Sequence, residues 1–165
     1  MSVKDWNFKQ KPTGLWKHVL RLPIHLFRAH LGFLMGERIL LLTHRGRVSG
    51  QLRQTPVEVV THDRITHEYI VCSGTGPRAD WYLNITALPA VEVQVRNDRW
   101  TPSQRMLSQA EAAKRFADYE QLHPKSARRL LTSMGRAYDG TDEGRFKMME
   151  QMPMVAFSEQ PTSAQ

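Results

Sequence analysis

At 165 residues, 41% of them hydrophobic and 24% charged, the chain has the proportions and length of one ordinary globular domain, which excludes a disordered chain or a fibrous repeat. Its formal net charge of +7 attracts polyanions, whether nucleic acid, an anionic membrane surface or a phosphorylated cofactor, and composition does not choose among the three. The single cysteine excludes an internal disulfide and a Cys-rich metal site.

The first eleven residues carry charges and amides without an apolar signal-peptide core, so the cytoplasm is the expected compartment. Residues 15–34 then interleave Leu15, Trp16, Val19, Leu20, Ile24, Leu26, Phe27, Leu31 and Phe33 with basic residues. This reads as one or two amphipathic helical pieces broken or kinked at Pro23. Such a segment covers one side of a core or lies in a membrane interface. The apolar run at 39–42 is far shorter than the roughly 20 residues of a membrane-crossing helix.

Strands are expected over 38–44 and 54–62, flanking a polar loop that holds Gly46 and Gly50. A turn at 62–64 leads into a third strand ending at Cys72, which reads as a buried strand residue. Residues 73–77 stop that strand. Asp80 is expected to cap a helix over 81–88 that Pro89 ends. Val91, Val93 and Val95 alternate with Glu92, Gln94 and Arg96, the period of a half-buried strand, which Asn97 and Asp98 turn back into 99–107. Residues 108–111, Ser-Gln-Ala-Glu, form a capping box opening a helix to about Leu122. Helices are expected over 126–134 and 141–151, then a short strand over 154–157 and a frayed tail from 158. Neither a Rossmann fingerprint nor a P-loop is present.

Two polar stretches carry the candidate chemistry. In residues 43–56 Arg45, Arg47 and Arg53 supply cations, Ser49 and Thr55 hydroxyls, and Gly46 and Gly50 close backbone approach, the requirements of a phosphate site. In residues 73–84 Arg78 and backbone amides can face anions while Trp81 flanks a flat ring. No Ser/His/Asp set assembles: His44 and His123 stand isolated, and each histidine reads as a surface or packing residue. No catalytic side chain or metal ligand is assigned.

The two stretches together, with Leu-Pro-Ala-Val at 88–91, Tyr-Glu-Gln-Leu-His-Pro at 119–124 and Met-Pro-Met-Val-Ala-Phe at 152–157, resemble the deazaflavin-dependent nitroreductase family of the flavin/deazaflavin split-barrel oxidoreductases. The resemblance implies an α+β fold, a split β-barrel of mostly antiparallel strands with N-terminal, connecting and C-terminal helices. Residues 1–34 would form the N-terminal segment on or beside the barrel, 35–158 the cofactor-binding barrel and 159–165 a flexible tail.

It also implies coenzyme F420 as a reduced deazaflavin hydride donor, with FMN as the alternative cofactor. By family position Arg47, Val48, Ser49, Arg53, Gln54, Thr55, Pro56, Val57 and Glu58 would contact its phosphate, tail and ring edge. Val71, Cys72, Ser73, Gly74, Asp80, Trp81, Tyr82, Leu83 and Asn84 would complete the pocket. Many relatives carry Lys where Val48 stands, and some where Gly74 stands. The acceptor would be a quinone, a nitroaromatic or an activated enone, with Tyr82, Tyr119, Tyr138 and His123 as candidates to line its side. The competing readings are a split-barrel protein holding FMN, heme or lipid without deazaflavin reductase activity, and a basic nucleic-acid module. The weight falls on the small-molecule acceptor, not nucleic acid, with a homodimer and a peripheral contact of residues 15–34 on the inner membrane face as further expectations.

Overall fold

In the computed structural model, which describes residues 22–133, 135 and 137–159, side-chain parity sorts each strand between two faces. Strand β1 (Ile39–Arg45) sends Leu40 and Leu42 into one apolar cluster and Leu41 into another on its opposite face, as the two-residue period of a strand requires. β3 (Glu68–Cys72) and β7 (Met154–Glu159) do the same. Val71, Val155 and Phe157 join the cluster of Leu40 and Leu42, while Ile70, Cys72, Met154 and Ala156 face the C-terminal helices.

With β2 (Leu52–Asp63), β4 (Glu92–Val95), β5 (Asp98–Trp100) and β6 (Pro102–Met106), these strands form one sheet in the order β5-β4-β1-β2-β3-β7-β6. Every pairing is antiparallel. The two edge strands, β5 and β6, are separated in the chain by Thr101 alone. The sheet must therefore curl until its edges approach, and the result is a nearly closed barrel. The long β2 pairs with β1 through residues 52–58 and with β3 through 59–63, with a register shift between Val59 and Thr61 that bends it from one half to the other.

The expected strand over 99–107 is thus two strands broken at Thr101. The turn before β5 falls at Arg96 and Asn97, not at Asn97 and Asp98, because Val95 pairs with Asp98. Arg96 takes a left-handed conformation there, φ +54°. Ser158 and Glu159, expected to fray, instead extend β7 opposite Ser103 and Pro102.

Helix α1 (Leu22–Arg28) places Pro23 in its first turn, where a missing N–H costs nothing, and lays Ile24 and Phe27 on Leu41. Residues 15–21 lie outside the described residues. A 3-10 turn (Gly32–Met35) follows. A Cβ on Gly32 would collide with the Arg96 carbonyl oxygen and approach the Phe27 ring to 2.7 Å, so this turn is pressed against the β4–β5 hairpin.

α2 (Asp80–Ala87) is capped by Ala79 without a side-chain bond, so Asp80 is its first residue rather than its cap. α3 (Gln109–Leu122), α4 (Pro124–Ser133) and α5 (Asp142–Met149) cover the outer face of β3 and β7, where Phe116, Tyr119, Met148 and Met149 meet Ile70 and Met154. Ser108 caps α3 by accepting from the Glu111 amide at 3.2 Å. The other half of the expected box does not form: the Glu111 carboxylate receives two bonds from Arg105, both 2.8 Å. The same guanidinium holds Glu68 at 2.6 and 2.8 Å, reaching from β6 across β7 to β3.

Candidate functional site

Where β1 ends, the loop of residues 46–51 folds on itself. The Gly46 amide donates to the Gln51 carbonyl at 2.9 Å and the Gly50 amide to the Gly46 carbonyl at 2.7 Å. Gly50 adopts φ +64°, which glycine reaches without a Cβ penalty. Together with β2, α2 and α1 this loop borders a cleft of about 1030 Å³.

One hydrogen-bonded chain organises the cleft wall. The Asn84 side-chain oxygen, on α2, accepts from both the backbone amide and the guanidinium of Arg47, at 3.0 and 2.9 Å. Its amide nitrogen therefore faces His44 Nδ1, at 3.1 Å. That nitrogen must accept, so the proton sits on Nε2, which donates to the Thr55 hydroxyl at 3.1 Å. Asp80 adds a longer ion pair to Arg47, at 3.4 Å. On the far wall the Arg28 guanidinium donates twice to Gln54, at 3.0 and 2.8 Å, tying α1 to β2.

Among the described residues the lining holds the guanidinium groups of Arg28, Arg47 and Arg53 against the one carboxylate of Asp80, so this wall of the cleft is cationic. Ile24, Ala79 and Trp81 give it an apolar floor. Multidentate cationic donors beside an apolar, aromatic surface suit a ligand with an anionic tail and a flat ring. His44 is 1% exposed, and burial holds its imidazole below the usual value, against the Arg45 backbone and Asp80, which favour the charged form.

Of the residues expected from sequence, Arg47, Val48, Ser49, Arg53, Gln54, Thr55, Asp80, Trp81 and Asn84 line this cleft. The others lie elsewhere. Val57 and Val71 are in the barrel cluster, where Tyr82 packs against it. Cys72 is buried under the C-terminal helices, and Ser73 is turned into its own loop, donating to the Gly76 carbonyl at 2.7 Å. Pro56, Glu58, Gly74 and Leu83 are not part of the lining. Burial raises the Glu58 carboxyl, with Arg38 opposing.

Sequence reasoning missed His44, expected to be isolated and in fact joined to Thr55 and Asn84, and missed the α1 residues Ile24, His25 and Arg28. Tyr119 and His123 border a second pocket of about 320 Å³ beside Arg38, His62 and Arg115. Tyr138 donates to Glu120 at 2.6 Å. Among the described residues no cluster of His, Cys, Asp or Glu could hold a metal ion, and no helix is long and apolar enough to cross a membrane.

A sequence model of the family described as F420H(2)-dependent quinone reductase matches residues 24–146. No curated protein matches the chain. Among solved structures, an F420-H2 dependent reductase (FDR-A) is 21% identical, with TM-score 0.49, over 74% of this chain and 96% of its own. A structure described as a domain-swapped dimer is 20% identical, with TM-score 0.49, over 82% and 99%. A pyridoxamine 5'-phosphate oxidase-related, FMN binding protein from Nostoc punctiforme is 12% identical, with TM-score 0.40, over 89% and 81%.

Proposed function

The chain belongs to the F420H(2)-dependent quinone reductase family, and we propose that the cationic cleft between α1, the 46–51 loop and α2 is where it holds reduced coenzyme F420 against a quinone. The enzyme is a deazaflavin-dependent oxidoreductase acting on a small-molecule electron acceptor. The observation that carries the site assignment is Arg47, fixed by Asn84 through two hydrogen bonds and still facing the cleft beside Arg53.

When bound, the reduced deazaflavin supplies the hydride. The protein's part is to bind, orient and exclude water. Arg28, Arg47 and Arg53 hold the phosphate and carboxylate groups by charge-assisted bonds. Ile24, Ala79 and Trp81 offer the apolar surface for a ring. No protein nucleophile is needed.

The acceptor is a quinone reaching the cleft from the side of α1. Leu31, Phe33 and Leu34 are exposed there, following the exposed Arg28 and His30, a combination that suits the interface of an anionic membrane. The test is anaerobic turnover of reduced coenzyme with menadione in solution and with a long-chain quinone in anionic liposomes, alongside flotation of the protein with those liposomes. Acceptor-dependent formation of oxidised deazaflavin in both arms, with co-flotation, is expected. Coenzyme that binds yet passes no hydride to either quinone sinks the acceptor assignment; turnover with menadione alone and no co-flotation removes the membrane contact.

A further inference from the structure

We infer that His44 is a positioning residue for the coenzyme: as the Nε2–H tautomer it orients Asn84, and through Asn84 it sets the Arg47 guanidinium in the cleft. This rests on the reading of the cleft as the coenzyme site.

The inward positions of β1 run Leu40, Leu42, His44, so the apolar pattern changes where the strand reaches the cleft. A packing residue there would be another aliphatic one. Instead an imidazole 1% exposed has both ring nitrogens engaged, by Thr55 at 3.1 Å and Asn84 at 3.1 Å. The Asn84 amide has one orientation compatible with Arg47: rotated by a half turn, its NH2 group would face the two Arg47 donors, leaving buried donors opposed. In the orientation found, the NH2 group needs an acceptor on its other side. Neutral His44 provides it at Nδ1.

A protonated imidazole would present a donor to a donor, so either the Asn84–His44 bond or the Asn84–Arg47 pair must open. The charged groups around the ring are Arg53 on β2, which opposes protonation, and Asp80 on α2, which favours it. Arg47 stands behind Asn84, His25 and Arg28 of α1 line the same cleft, and Glu92 of β4 lies opposite Thr43 in register. Burial, joined by Arg53, outweighs the Arg45 backbone and Asp80 and holds the imidazole below its usual value.

Two substitutions separate positioning from packing. Gln in His44→Gln can accept from Asn84 and donate to Thr55, whereas Leu in His44→Leu can do neither. In anaerobic titrations with reduced F420, His44→Leu should bind about tenfold more weakly and His44→Gln within about threefold of the natural protein, the scale of one or two hydrogen bonds. In an Arg47→Ala background, His44→Leu should add almost nothing, because its effect passes through Arg47. A second readout needs no coenzyme: the imidazole 15N shifts of the natural protein at neutral pH should show a bare Nδ1 and a protonated Nε2.

Additive losses in the double variant, His44→Gln as weak as His44→Leu, or a proton on Nδ1 would each overturn the inference. Should Arg47→Ala bind the coenzyme as well as the natural protein, the cleft assignment fails instead, and the 15N spectrum still decides whether His44 orders Asn84.

Discussion

Replacing Arg105 with leucine removes one guanidinium and strands two carboxylates. Arg105 makes four hydrogen bonds of 2.6 to 2.8 Å to Glu68 and Glu111. The Glu68 side chain is only 12% exposed, and without Arg105 it keeps the bond it accepts from the Thr66 hydroxyl at 3.1 Å. Breaking a buried pair costs about 3 to 5 kcal/mol, and because Arg105 is 44% and Glu111 31% exposed, solvent lowers this to about 2 to 3 kcal/mol. In a domain of this size that is a fall in Tm of about 5 to 10 °C.

The loss carries a pH signature. Hydrogen bonds from Arg105 hold both the Glu68 and Glu111 carboxyls below their ordinary value of 4.5. A depressed carboxylate contributes stability that is complete above its unfolded value and is lost as pH falls through the folded one. Urea unfolding of the natural protein and of Arg105→Leu should therefore differ fully at pH 7 and converge progressively below pH 4.5. Equal stability at pH 7, or a gap that stays constant below pH 4.5, would refute the reasoning.

The β4–β5 hairpin yields two opposite effects. Gly32→Ala drives a methyl group into the Arg96 carbonyl and Phe27, so it should lower stability by about 1 to 3 kcal/mol in thermal unfolding, and it should weaken coenzyme binding as well, since α1 carries Arg28 into the cleft. Arg96→Gly relieves a left-handed side chain at φ +54° and should raise stability by about 0.5 kcal/mol in the same assay, after the extra unfolded-state entropy of glycine.

The barrel was legible because its signals are local. The alternation of Val91, Val93 and Val95 and the two glycines between β1 and β2 each mark an element within a few residues. The break at Thr101 was not, since Arg99 to Leu107 holds no breaker other than Pro102, which occupies the first position of β6, a place a strand tolerates. Both stretches named from the sequence reach the cleft, though not through every residue. Strand parity sends Val57 and Val71 into the barrel and Cys72 outward, so contiguous residues cannot all face one cleft. His44 was illegible for the opposite reason. Its partner Asn84 lies 40 residues away, and nothing in either local sequence records that α2 brings its fifth residue against the end of β1.

The most direct test of the account is an anaerobic titration with reduced F420 at rising salt, comparing the natural protein with Arg28→Ala, Arg47→Ala and Arg53→Ala. If the cleft holds the anionic coenzyme, each substitution should weaken binding about tenfold, with binding also falling as salt screens the exposed charges. Unchanged affinity in Arg47→Ala, or in Arg28→Ala and Arg53→Ala together, would contradict the assignment of this cleft.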